Sequence, residues 1–126
     1  MKRRVALLFS AMLITGMTMK NSMAITKTKV NYSTSTMQLI HITCNGNSSQ
    51  IAYGHLFPGV TSPAVKLQFW NASQTVLYAS EIYPAYPVNP NHLSYLMAPY
   101  QVIRYYVRPA VENQYVWGYG EYWNSL

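Results

Sequence analysis

The sequence predicts an all-β fold, a small antiparallel two-sheet sandwich, immunoglobulin-like in outline, with a small barrel as the alternative. Three observations lead there. Apolar and polar residues alternate with period two over much of the chain beyond residue 25, while helical periodicity is scarce. Tyr, Val, Ile, Thr and Trp, which suit a pleated surface, are favoured over the usual helix formers. Gly, Asn, Ser and Pro turns recur between short runs, the spacing of a sandwich.

The first two dozen residues stand apart. Lys2, Arg3 and Arg4 precede an apolar run from Val5 to Ile14, then Gly16 and small or polar residues ending in Ala24, with Ser22 and Ala24 as the small residues before the cut. That is the pattern of a secretory signal peptide, with an apolar run too short to cross roughly 30 Å of hydrocarbon as a helix. Residues 1–24 are therefore expected to be removed, leaving a single all-β domain over 25–126. The expected location is the periplasm or the medium. Removal also changes the charge: five basic residues, Lys27, Lys29, Lys66, Arg104 and Arg108, then face Glu81, Glu112 and Glu121, a formal +2. Five scattered cations make no counterion-releasing footprint, so a nucleic-acid partner is not expected.

The strands can be taken in order. "TKVNYS" (28–33) and "TMQLIHITC" (36–44) come first, and "GNSS" (46–49) turns the chain into "QIAYGHLF" (50–57). In "AVKLQFW" (64–70), Val65, Leu67 and Phe69 share one face and Lys66 and Gln68 the other, as in a sheet with one wet side. "NASQ" (71–74) turns into "TVLYASEIY" (75–83). "YPAYPVNPNH" (83–92) carries Pro84, Pro87 and Pro90, which cannot donate to a ladder, and reads as a rigid crossover between the sheets. "YQVIRYYV" (100–107) and "QYVWGYGEYW" (114–123) complete the set.

The last two strands carry the candidate site. With "PAVEN" (109–113) as a hairpin, Arg108 faces Gln114, Tyr105 faces Trp117, Ile103 faces Tyr119 and Arg104 faces Gly118. This register turns Tyr115, Trp117, Tyr119 and Trp123 into the core and leaves the glycines outside. The shallow outer surface then gathers Tyr100, Arg104, Tyr106, Arg108 and Tyr122 as the expected ligand-binding residues. On that reading Trp117→Ala destabilises strongly, while Tyr106→Ala and Arg104→Ala leave folding nearly intact.

No residue pattern here carries catalytic chemistry. The mature chain has no Asp and three Glu, so paired-carboxylate hydrolysis lacks its parts. His41 stands three residues before Cys44, an odd offset that sends the two side chains to opposite faces of a strand. Met97 follows His92 by five residues, a cupredoxin-like spacing, but Cys44 precedes His92 by 48, and no metal or other cofactor is expected. The lone Cys44 closes no intramolecular disulfide, so the fold rests on its core.

Twelve Tyr and three Trp suit surfaces that are half apolar and half wet. The expected function is an exported, non-enzymatic module presenting Tyr, Arg and Asn to a glycan or protein surface. The alternatives are a structural subunit of a bacterial surface assembly and an inhibitor or toxin-associated subunit.

Overall fold

The computed structural model describes residues 26–125; the expected signal peptide, 1–24, lies outside the described residues. Eight strands form two layers: β1 (Thr28–Thr34), β2 (Gln38–Cys44), β3 (Gln50–Pro58), β4 (Val65–Trp70), β5 (Leu77–Tyr83), β6 (Leu93–Met97), β7 (Val102–Pro109) and β8 (Val116–Ser125). Sheet I has the order β1-β8-β3-β6 and sheet II the order β2-β7-β4-β5. Every pairing is antiparallel. The first strand pairs with the last, the second with the seventh, the third with the sixth and the fourth with the fifth. That nesting is one long hairpin folded over on itself, the jelly-roll connectivity, and it replaces the immunoglobulin-like outline within the expected sandwich.

Seven of the strands match the expected segments. The eighth, β6, was hidden behind the prolines: "LSYLM" is five residues long, with Leu93 and Met97 buried and Ser94 and Leu96 exposed. The proline-rich stretch before it connects β5 in sheet II to β6 in sheet I, as expected of a crossover. Its end is fastened where the buried Tyr83 hydroxyl donates to the Asn91 carbonyl at 2.7 Å.

Alternation places the core. Val65, Leu67 and Phe69 of β4 and Ile103, Tyr105 and Val107 of β7 point inward from sheet II and are almost wholly buried. Tyr32, Leu56, Leu93, Met97 and Val116 meet them from sheet I. Each large apolar side chain hidden this way contributes about 1.5–3 kcal/mol, and with Cys44 free these contacts hold the sandwich without a disulfide.

The β7–β8 hairpin does not form. β7 lies in sheet II and β8 in sheet I, so "PAVEN" crosses between layers, and none of the expected pairs between them exists. β8 instead runs between β1 and β3, with Tyr32 opposite Gly118 and Leu56 opposite Gly120. This reverses the faces of β8: Val116, Gly118, Gly120 and Tyr122 turn inward, and Trp117, Tyr119 and Trp123 turn outward. The physical reason is room. A Cβ on Gly118 would stand 2.7 Å from the Tyr32 hydroxyl, and one on Gly120 would stand 2.9 Å from Leu56 Cδ2. The space between sheets is already filled by large residues of neighbouring strands, and β8 supplies the absence of side chains that lets them in.

Candidate functional site

The outward rings of sheet I form ordered rows. Tyr53 stacks on its cross-strand partner Trp123 at 5.2 Å and 10°, and Phe57 stacks on its partner Tyr119 at 4.8 Å and 18°. Lys27 Nζ lies 4.5 Å from the Trp123 ring centroid and Lys29 Nζ lies 4.2 Å from that of Tyr119. Trp123 and Tyr119 are thus each contacted by a neighbouring ring and by a lysine, Lys29 reaching Tyr119 from its place opposite Glu121. The ring faces that a sugar would need are occupied by other rings and by lysines, so the ladder is a cross-strand stabiliser more than an open platform.

His55 sits between these rows, opposite Glu121 on β8, and is buried. Its Nδ1 lies 3.0 Å from Nδ1 of His92, where one ring donates to the other and ties the end of the crossover to β3. Burial holds His55 below the ordinary histidine range, with His92 and Lys27 adding to the shift and Glu121 and the Asn91 backbone opposing it. Among the described residues, no three His, Cys, Asp or Glu side chains converge to hold a metal ion. His41 turns inward and Cys44 outward, exposed, so the two do not meet.

The five sequence-predicted site residues are dispersed. Arg104, Tyr106 and Arg108 share the outer face of sheet II, as expected. Tyr106 is nevertheless buried, as is Gln68 beside it. The β4–β5 turn explains this: its Gln74 Nε2 donates to Met37 Sδ at 3.1 Å, which carries the turn across β4 and β7 to the start of β2. Asn71 organises that turn by accepting from Thr75 N–H at 2.8 Å and Val76 N–H at 2.9 Å. Beneath it Arg104 Nη1 reaches the Tyr106 hydroxyl at 3.5 Å while its Nε is buried without a partner. Tyr100 stands alone in the turn before β7 at 74 % exposure. Tyr122 is a correction: it points between the sheets and stacks on His41 at 3.5 Å and 18°. Of these five residues, Tyr122 is the one whose place on that surface required the hairpin that does not form.

Tyr122 instead contributes to a recess that the sequence did not reveal. Along one side of the sandwich the edges of β5 and β6 are drawn together by Tyr78 stacking on Tyr95 at 4.7 Å. On the opposite side, between β1 and β2, lies a recess of about 310 Å³ lined by Thr26, Thr28, His41, Thr43, Tyr122, Trp123 and Asn124. Asn124 Nδ2 donates to Thr43 Oγ1 at 2.9 Å and joins the two sheets there. Burial lowers the His41 pKa, which favours the neutral ring in this wall. Threonine hydroxyls, an amide and aromatic rings with no charged side chain among them suit an uncharged polyhydroxylated ligand. The volume falls at the lower end of small-molecule sites, roughly 300–1,000 Å³. A second recess of about 280 Å³ places Arg108 with Ser35, Thr36, Met37, Pro109, Glu112 and Asn113. The only local clue to the first recess was the spacing of Thr26, Thr28, His41 and Thr43, which become neighbours only through the nested pairing.

No family model matches the chain, and no curated protein matches it. Among solved structures it is similar to one described as "Bacillus endospore appendages form a novel family of disulfide-linked pili". The TM-score is 0.46 at 12 % sequence identity, covering 90 % of this chain and 97 % of that one. A likeness of that degree is one of outline and carries nothing about function. No helix among the described residues is long and apolar enough to cross a membrane.

Proposed function

We propose that the chain is an exported, non-enzymatic binding module that takes an uncharged saccharide in the recess between β1 and β2. The observation that supports this is the lining: the paired rings of Tyr122 and His41 together with hydroxyls of Thr26 and Thr28 and the amide of Asn124. Rings offer apolar faces or edges to sugar C–H groups, and hydroxyls and amides exchange hydrogen bonds with sugar hydroxyls. The test is a glycan array probed with the purified chain, followed by calorimetry on the sugars retained. Asn124→Ala and Thr28→Ala are expected to weaken binding about tenfold, the scale of one lost hydrogen bond. An array without signal, or hits that both variants bind like wild type, would remove the recess from consideration.

A second reading, a structural subunit of a surface assembly, is favoured by a separate observation. The edge strands of sheet II, β2 and β5, display Leu39, Ile42, Leu77 and Ile82 at 40 to 48 % exposure. Size-exclusion chromatography tests this second reading: a ladder of oligomers supports it, and a monomer removes it.

A further inference from the structure

The four strand edges of the sandwich are not alike. β1, at one edge of sheet I, carries Lys29 with Lys27 just ahead of it, and β6, at the other, is five residues long between Pro90 and Pro99. Lysines, prolines and shortness are devices that keep an edge from pairing. The edges of sheet II lack most of them. β2 is seven residues long with no Lys, Arg, Asp, Glu or Pro. β5 is also seven residues long, and its single charged residue, Glu81, is engaged by Asn89 Nδ2 at 2.8 Å. The same amide donates to the Ile82 carbonyl at 2.7 Å, which closes that end of β5 and leaves the stretch from Leu77 to Glu81. In β2 the irregularity between Leu39 and His41 leaves His41 to Cys44 as a regular segment.

The two edges also match one another. β2, β7, β4 and β5 alternate in direction, so β2 and β5 run opposite ways. Two copies set side by side in the same orientation therefore bring β5 of one against β2 of the next as antiparallel neighbours. Their rows coincide as well. Ile42 pairs with Arg104, Arg104 with Trp70 and Trp70 with Leu77, so Ile42 and Leu77 end a single row on the outer face. Repetition of the copy places Leu77 beside the next Ile42, two apolar side chains at 42 % and 47 % exposure that would cover each other.

We propose that sheet II continues from copy to copy, with β5 of one chain pairing head to tail with β2 of a second copy of this chain. The inference rests on the assembly reading above and names its contact. Because the two surfaces differ, the contact is heterologous and generates a ring or an open filament, in contrast to a closed twofold dimer. Main-chain hydrogen bonds supply the affinity and the Leu77–Ile42 contact supplies the register.

Sedimentation velocity of the purified exported chain over rising concentration tests this with two variants, Ile42→Lys and Leu77→Lys. Both positions are already part-exposed, and matching melting curves for the variants and wild type establish that they fold. Wild type is expected to form a concentration-dependent ladder, and each variant alone a monomer. An equimolar mixture is expected to form dimers and nothing larger, because one variant keeps its β5 edge and the other its β2 edge. Wild type that stays monomeric overturns both this contact and the assembly reading. A ladder that either lysine leaves intact overturns the β5–β2 contact alone, and so does a mixture that stays monomeric.

Discussion

Tyr32 lies directly over Gly118, its cross-strand partner, with the hydroxyl 2.7 Å from where a Cβ on that glycine would stand. The Phe57 carbonyl oxygen is closer still, at 2.5 Å from the same point, and the glycine has φ +155°. Gly118 is therefore the position at which β8 makes way for a core tyrosine from β1. Gly118→Ala is expected to lower stability by about 1–3 kcal/mol, since backbone cannot move aside as a flexible side chain would. Gly46→Ala, where nothing lies within 4 Å, is the control. Urea melts in which both alanines behave alike would remove the steric account of β8.

The outward ladder predicts an order among the tryptophans. Trp123 is 7 % exposed and touches Tyr53, His92 and Lys27, whereas Trp117 is half-buried and stacks on the exposed Tyr115 at 5.8 Å. Trp123→Ala is expected to cost about 3–5 kcal/mol, the range for a large buried ring, and Trp117→Ala clearly less. Thermal melts giving the reverse order would show that Trp117 belongs to the core after all.

The contrast with the sequence reading lies in what pairing distance each inference needed. Val65, Leu67 and Phe69 announce their face within seven residues, because alternation is a property of one strand, and so do Ile103, Tyr105 and Val107. The direction of β8 is not a property of β8. Its rings are the larger set, and a local rule sends them inward; the interior is already taken by Tyr32 and Leu56 from strands far off in sequence. A five-residue connection looked like a hairpin because nothing in "PAVEN" tells a turn within a sheet from a step between sheets. Tyr122 left the expected surface with that register and became a recess wall, while Arg104, Tyr106 and Arg108 keep their common face on β7.

Acid should weaken the fold through His55. Burial first, then His92 and Lys27, disfavour its charged form, so the folded protein takes up this proton at lower pH than the unfolded chain, whose value is 6.5. Above 6.5 neither state carries the proton and nothing is lost. Below it the unfolded chain gains a proton that the folded one refuses, and stability falls until the folded value is passed. His41, lowered by burial, acts in the same direction. Urea midpoints at about pH 7.5 and about pH 5.5 are expected to drop on acidification, and His55→Gln to reduce that drop. A His55→Gln protein with the full wild-type slope would place the titration elsewhere.

Tyr106 reverses an expectation drawn from the sequence. Alternation along β7 alone puts it among surface residues whose removal leaves folding intact, yet it is 7 % exposed beneath the β4–β5 turn, packed in a row with Leu39, Gln68 and Ser80. Its hydroxyl accepts from Arg104, whose Nε already lacks a partner. Truncation therefore opens a cavity and takes away an acceptor from a half-buried guanidinium. Tyr106→Ala is expected to cost about 3–5 kcal/mol, whereas Tyr106→Phe, which keeps the ring and loses only the weak 3.5 Å contact, should cost about 1 kcal/mol or less. Gln74→Ala, which frees the turn from Met37, should fall between wild type and Tyr106→Ala and raise deuterium uptake in residues 71–76. If Tyr106→Ala melts with wild type and those amides are already unprotected, the turn does not cover the sheet in solution, and Tyr106 returns to the surface with Arg104 and Arg108.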